Sequence, residues 1–162
     1  MKETEKEFSI RIGQESDIDK IIVLWEGLMR FHENCVSDFV LNKDAKQKMI
    51  AYLQSFFNSK EKTVFVAEQS NEIVGYIFGL VKEKPPVFEE NVVGEIGDTS
   101  VREDMRGKGV GEALVKAVLE WIKQKELKSV ELNMYPDNKV AATFWDKMGF
   151  KPYFLTRRKN LV

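Results

Sequence analysis

Three glycines stand where a helix should nucleate. The stretch "VREDMRGKGVGEALVKAVLEWI", residues 101–122, puts Gly107, Gly109 and Gly111 at the start of a segment whose Val110, Leu114, Val118, Trp121 and Ile122 recur at helical spacing. Glycine costs a helix interior about 1 kcal/mol relative to alanine, so helix stability does not explain them. The preceding "VVGEIGDTSV", residues 92–101, reads as a strand interrupted by Gly94 and Gly97 and carrying Glu95 and Asp98. Strand, glycine turn and helix bring unpaired amides and the positive end of a helix dipole to one point. An anion placed there satisfies both, and glycine removes the Cβ that would hold it off the backbone. "RGKGVG", residues 106–111, therefore reads as a phosphate cradle, with Arg106 and Lys108 adding positive charge. The alternative is a tight turn that binds nothing.

Two phosphate motifs are excluded by spacing. A mononucleotide P-loop needs four residues between its glycines, then Lys and Ser or Thr. The dinucleotide fingerprint needs glycine at 112, where Glu112 stands, and belongs near the start of a βαβ repeat.

The rest of the chain gives the cradle its setting. "FSIRIG", residues 8–13, alternates as a strand. Ile18, Ile21, Ile22, Trp25, Leu28 and Met29 form a helical stripe that Ser16 or Asp17 can cap. A second helix starts near Asp44 and carries Met49, Leu53, Phe56 and Phe57 on one face. "TVFVAEQ" and "EIVGYIFGLV" flank Ser70-Asn71 as a hairpin. "KSVELNMY" is a further strand, a short helix begins near Asn138 and stops at Gly149, and "FKPYFLT", residues 150–156, closes as a final strand. Strand–helix–strand near the end implies a parallel pair with a right-handed crossover, and the hairpin implies antiparallel pairing. The expected fold is a single α/β (α+β) domain over 1–162, a mixed and mostly antiparallel sheet with helices on both faces.

Composition narrows the partners. The 25 basic and 26 acidic side chains nearly cancel, which gives no global field for nucleic acid or membrane. No apolar run approaches the roughly 18 residues of a membrane span. The charged "MKETEKEF" does not read as a signal peptide, so a cytoplasmic location is expected. Cys35 is alone, which rules out an internal disulfide, and no cluster has metal-ligand spacing.

Arg106-Gly107-Lys108-Gly109-Val110-Gly111 resembles the Arg/Gln-x-x-Gly-x-Gly/Ala pyrophosphate motif of the GNAT acyltransferase superfamily. Downstream, "NKVAATFWDKMGF", residues 138–150, is similar to that family's Asn-x-x-Ala-x-x-x-Tyr-x-x-x-Gly-Phe segment, and the separation of the two blocks fits as well. The resemblance spans the order of elements from Phe8 to Tyr153 and is most specific from Glu95 to Phe150. It implies a splayed parallel strand pair that holds acyl-CoA, acetyl-CoA as the acyl donor, and transfer of an acetyl group to a primary amine by direct attack. Amides from Arg106, Gly107, Lys108, Gly109, Val110, Gly111 and Glu112 would hold the pyrophosphate. The backbone of Thr99, Ser100 and Val101 would pair with the pantetheine arm, and an amide near Val101 would polarise the thioester carbonyl. Asn138 would hydrogen-bond the cofactor, cap the last helix, or both.

An alkyl amine is mostly protonated at neutral pH, so a base must take its proton. Glu95 stands where some members of the family place a catalytic glutamate. Strand alternation puts it on the side of Gly97, Thr99 and Val101, with Asp98 opposite unless a bulge shifts the phase. A salt bridge is the other reading of Glu95. The family's tyrosine that protonates the departing thiolate is replaced by Trp145, which cannot do so; Tyr135 or water is the substitute. His32, the only histidine, falls on the apolar period of the first helix and reads as a packing or capping residue. Acidic residues at Glu33, Asp38, Glu89 and Glu90 would favour a cationic acceptor, either a small molecule or a protein amine. A homodimer is left open. Because the tyrosine is missing, a catalytically silent acyl-CoA-binding or sensor module is the second reading.

Overall fold

The computed structural model describes residues 8–161; residues 1–7 and 162, which the single-domain reading includes, lie outside the described residues. Along the chain the elements are β1 (Ser9–Ile12), α1 (Ile18–Cys35), α2 (Ala45–Phe57), β2 (Lys62–Gln69), β3 (Glu72–Glu83), β4 (Val92–Val101), α3 (Val110–Gln124), β5 (Val130–Leu132) and α4 (Lys139–Lys147). The sheet order is β1-β2-β3-β4-β5. All neighbours are antiparallel except β4 and β5, which α3 connects as a parallel pair. This is the expected mixed α/β domain. No helix among the described residues is long and apolar enough to cross a membrane.

Each face of the sheet carries its own core. The stripe Ile18, Ile21, Ile22, Trp25 and Met29 of α1 packs with Leu53 and Phe56 of α2 against Tyr76 and Phe78 of β3. On the other face Val110, Leu114, Val115, Val118 and Ile122 of α3 meet Ile77 and Ile96, and Trp145 of α4 completes the cluster. The alternation of Tyr76, Ile77 and Phe78 between the two cores is the period of two expected of a buried strand. Helix α3 lies close to the sheet because β4 presents no side chain to it at Gly94, where a Cβ would come within 2.7 Å of Ile122.

Two features of β4 position everything that follows. Its parallel pairing with β5 is confined to Gly94↔Val130, Glu95↔Glu131 and Ile96↔Leu132, so β4 runs on to Val101 with no strand among the described residues along that edge. Its pairing with β3 skips, with Ile77 opposite Thr99 and Gly79 opposite Ile96. Gly97 and Asp98 therefore share one partner, Phe78, as a bulge in which two residues oppose one.

The structure corrects three expectations. Residues 150–156 do not form a strand. Phe150 is held by its amide on the Trp145 carbonyl and by its ring 5.3 Å from Trp145. Pro152 then removes a donor where a ladder would need one. The segment runs on exposed, with Tyr153 under Lys84 and the Asn160 side chain donating to Asp38, leaving the outer edge of β5 without a strand among the described residues. The strand at 128–135 shortens to Val130–Leu132. Neither Ser16 nor Asp17 caps α1 through its side chain. Asp17 turns back instead to accept from the Gln14 amide at 2.8 Å and from Arg11 at 2.7 and 3.0 Å.

Arg11 also donates to Glu68 at 2.6 Å, so one guanidinium ties β1, β2 and the start of α1 together. Asp17 is 5 % exposed, and hydrogen bonding from Arg11 holds its carboxyl below the usual value. Removing one partner of a buried pair strands the other charge, which costs up to about 3–5 kcal/mol. Arg11 is itself part-exposed, so we expect Arg11→Ala to lower stability in urea unfolding at pH 7 by roughly 2 kcal/mol. A depressed carboxyl contributes above its unfolded pKa, and that contribution is lost as pH falls through the folded value. The difference between parent and variant therefore shrinks in strong acid; a difference constant down to pH 2 contradicts the assignment.

Candidate active site

The turn before α3 explains its glycines by two different physical needs. Gly107 and Gly109 have φ of +72° and +83°, the left-handed region that side-chain-bearing residues rarely adopt. A Cβ at either would meet nothing within 4 Å, so the space above them is open. Gly111 has a packing role: a Cβ there would lie 3.2 Å from the Phe144 ring of α4. The first helical bond runs from the Ala113 amide to the Gly109 carbonyl. The amides of Gly107, Gly109, Val110, Gly111 and Glu112 make no backbone hydrogen bond of good geometry among the described residues, and they converge on the start of α3.

Arg106 differs from its neighbours. Its amide donates to the Glu103 carbonyl at 3.2 Å, and its Nε folds back onto the Val101 carbonyl at 3.1 Å. Lys108 reaches Met105 Sδ at 3.9 Å. Glu112 accepts from Lys147 at 2.6 Å, which ties the start of α3 to the end of α4 and draws the Glu112 carboxyl below its ordinary value. Asn138 is the N-cap of α4: its Oδ1 accepts from the Ala141 amide at 3.0 Å.

The bulge re-sorts β4 between the two faces. Thr99 and Val101 lie opposite Ile77 and Gly75, on the α3 side. Glu95 lies opposite Leu80, and Ser100 opposite Tyr76, on the α1/α2 side. Strand alternation had put Glu95 with Thr99 and Val101; the extra residue moves those two to the far face and turns Asp98 to the near one.

On that near face the two carboxylates are held differently. Glu95 accepts from Lys82 at 2.7 Å, Lys82 stands 3.9 Å from Glu131, and Lys84 donates to Glu131 at 2.6 Å, an alternating row of charges across β3, β4 and β5. Asp98 lies instead among α1 and the rings. Burial pushes its carboxyl up, with His32 and the Trp25 indole N–H partly opposing that push. Burial likewise pulls His32 down, with Asp98 opposing. The His32 ring sits 5.4 Å from Phe39 and 5.5 Å from Tyr135, and Phe39 meets Tyr135 edge-on at 5.9 Å. Tyr135 thus closes against the end of α1 at the point where β4 and β5 have parted.

Trp145, in place of the expected tyrosine, is 8 % exposed and packs edge-on against Phe144 and Phe150 in the α3-side core. Reading the sequence did not bring His32 or Phe39 to Asp98. The signal for Asp98 was present in the Gly97-Asp98 pair; none pointed to His32 beyond its place on the helix.

Gly111 yields a direct test. Its Cβ position is already tighter than ordinary contact with Phe144, so Gly111→Val forces α3 and α4 apart. We expect a loss of about 1–3 kcal/mol in denaturant unfolding, the usual range for overpacking. An unchanged midpoint would mean that the two helices are not locked at this point.

Comparison with known proteins bears on this geometry. Residues 25–150 match the model of the acetyltransferase (GNAT) family. An uncharacterised N-acetyltransferase of Methanocaldococcus jannaschii is 30% identical over 62% of this chain, which spans 44% of that relative's length. An N-alpha-acetyltransferase of Sulfurisphaera tokodaii is 28% identical over 90% of this chain and 81% of its own. A predicted acetyltransferase of Clostridium acetobutylicum, crystallised with acetyl-CoA, superposes with a TM-score of 0.79 at 16% identity, covering 95% of this chain and 96% of that one. The glycine turn and the parted strands lie inside the matched span, and the chain belongs to the acetyltransferase (GNAT) family.

Proposed function

We propose that the chain is an acetyl-CoA-dependent N-acetyltransferase that moves the acetyl group to a primary amine by direct attack. The observation that carries this reading is the set of amides of Gly107, Gly109, Val110, Gly111 and Glu112, which make no backbone hydrogen bond among the described residues, beside the edge of β4 that no described strand pairs. The first suits a pyrophosphate, since the amides and the helix dipole both favour negative charge. The second suits an extended pantetheine arm, which adds to the exposed edge at Thr99, Ser100 and Val101 as a further strand would. Asn138, with Oδ1 committed to the helix cap, offers its Nδ2 to that arm. A backbone amide near Val101 polarises the thioester carbonyl.

The α1/α2 side of β4 is then the acceptor side. Direct attack requires a carboxylate there to take a proton, and Glu95 and Asp98 both face it. Tyr135 is half-exposed at the parting of the strands and supplies the departing thiolate with a proton in place of the tyrosine absent at 145. A primary amine as acceptor agrees with the name of the relative that covers most of the chain, an N-alpha-acetyltransferase.

Thiol release from acetyl-CoA, followed with peptides bearing free N-termini, polyamines and aminoglycosides, tests the reading. Turnover with at least one amine is expected. Tight acetyl-CoA binding without turnover would favour the silent binding module instead. In Gly109→Val the new side chain enters the open space above the turn and the backbone is strained at positive φ. Acetyl-CoA affinity in calorimetry should fall at least about tenfold, which is 1.4 kcal/mol, while the fold survives. Tyr135→Phe should lower kcat with acetyl-CoA affinity unchanged; an unaltered kcat assigns the thiolate's proton to water.

A further inference from the structure

The acceptor side of β4 holds a cluster that the cradle and the pantetheine edge do not account for. Among the described residues, the buried side-chain polar atoms left without a partner are His32 Nδ1, Tyr76 Oη and Glu90 Oε1. Buried polar atoms are paired in the great majority of cases, so each orphan needs an explanation. His32 and Tyr76 come from different elements, α1 and β3, and both sense the charge of the same carboxylate, Asp98. Tyr76 is completely buried. The β4 bulge turns Asp98 toward this spot, and the rings of Phe39 and Tyr135 close over His32 from outside. The charge of one carboxylate is thus felt by an imidazole and a phenol at a largely apolar place beside the point where the strands part.

We propose that Asp98, not Glu95, takes the proton from the acceptor amine, and that His32 is the positioning residue that orients Asp98 and passes the proton on to solvent. This inference rests on the transferase reading above.

Three observations favour it. First, Glu95 is committed to Lys82 at 2.7 Å, within a row of charges that continues through Glu131 to Lys84. Asp98 has no lysine or arginine within ion-pair distance among the described residues; the Trp25 indole bonds it, and its charge is felt by His32, Tyr52 and Tyr76, with Glu95 further along the strand on the same face. Second, burial moves Asp98 and His32 toward each other in proton affinity, and proton transfer is most efficient between groups of matched affinity near the working pH. Third, an ammonium entering this spot offers a donor to the orphaned His32 Nδ1 and meets the ring faces of Phe39 and Tyr135, which attract a cation.

The ammonium gives one proton to Asp98. The neutral amine attacks the thioester carbonyl carbon; the C–N bond forms as the C–S bond breaks. The thiolate takes the proton of Tyr135, which is restored by the second proton shed from nitrogen. Asp98 returns its proton to bulk water through His32. Ammonium and thioester become amide, thiol and one released proton.

Two measurements on the full chain test this. His32 is the only histidine, so its imidazole resonance is unambiguous in NMR. In the parent it should titrate below 6.5, and in Asp98→Asn lower still, since the carboxylate that favours its charged form is gone. Glu95→Gln should leave it unmoved. A His32 titration indifferent to Asp98→Asn overturns the pairing whatever the turnover. For turnover, the probe is whichever of phenethylamine, spermidine and a serine-initiated peptide the parent acetylates fastest. Asp98→Asn should lower kcat by about a hundredfold or more with acetyl-CoA affinity unchanged, the usual worth of a general base. His32→Gln should move the acid limb of the kcat/KM profile, because Asp98 cannot accept a proton once it is protonated. Asp98→Asn within threefold of the parent, or a hundredfold loss in Glu95→Gln alone, assigns the base to Glu95. A parent that binds acetyl-CoA yet acetylates none of the probes overturns the transferase reading and this one together, whereas the NMR result alone can overturn only this one.

Discussion

The parting of β4 from β5 is the constraint on which the candidate site depends. A parallel pair is held by slanted hydrogen bonds that are slightly weaker per residue than an antiparallel ladder. Here that pair is confined to three registered positions, Gly94 to Ile96. Beyond Ile96 no strand among the described residues pairs with β4 on that side, and the open edge of a strand recruits an extended partner. The glycine turn that follows the same strand adds a set of amides without a backbone partner among the described residues. One strand thus presents two adjoining stretches of unsatisfied backbone, one suited to an extended arm and one to an anion.

The bulge at Gly97 and Asp98 is what gives the two sides of β4 different work. Without the extra residue, Glu95, Thr99 and Val101 would share a face and Asp98 would point into the α3-side core, where an unpaired carboxylate is costly. With it, the α3 side keeps Thr99 and Val101 and the α1/α2 side receives Glu95, Asp98 and Ser100. Gly97 sits where this shift happens, with its Cβ position only 3.1 Å from Phe78.

Much of this was legible in the sequence because it rests on local rules. Helical periodicity marked α1, α2 and α3, and the turn residues marked the β2–β3 hairpin. The resemblance of residues 106–111 and 138–150 to GNAT motifs named the family. What was not legible came from pairing between distant elements. Strand alternation was the right rule for β4 until one residue was inserted, and only the register against β3 shows where. Asp17 has the chemistry of a helix cap, but Arg11 and the Gln14 amide compete for its oxygens and win. Residues 150–156 have strand composition, yet Pro152 and the grip of Trp145 on Phe150 deny them a ladder. His32 lies on the apolar period of α1 and looks like core until the bulge brings a carboxylate beside it.

That unladdered segment has a colloidal consequence. Tyr153, Phe154 and Leu155 are 80, 87 and 65% exposed, and they follow a sheet edge, that of β5, which no strand among the described residues pairs. Exposed apolar residues near an open edge are the ingredients of edge-to-edge association, which proteins usually blunt with charge or proline. Here both devices are present: Pro152 lies before the apolar trio, and Arg157, Arg158 and Lys159 follow it. The mutual repulsion of those cations between copies sets how concentrated, and how salty, a solution of the protein can become before its molecules begin to adhere.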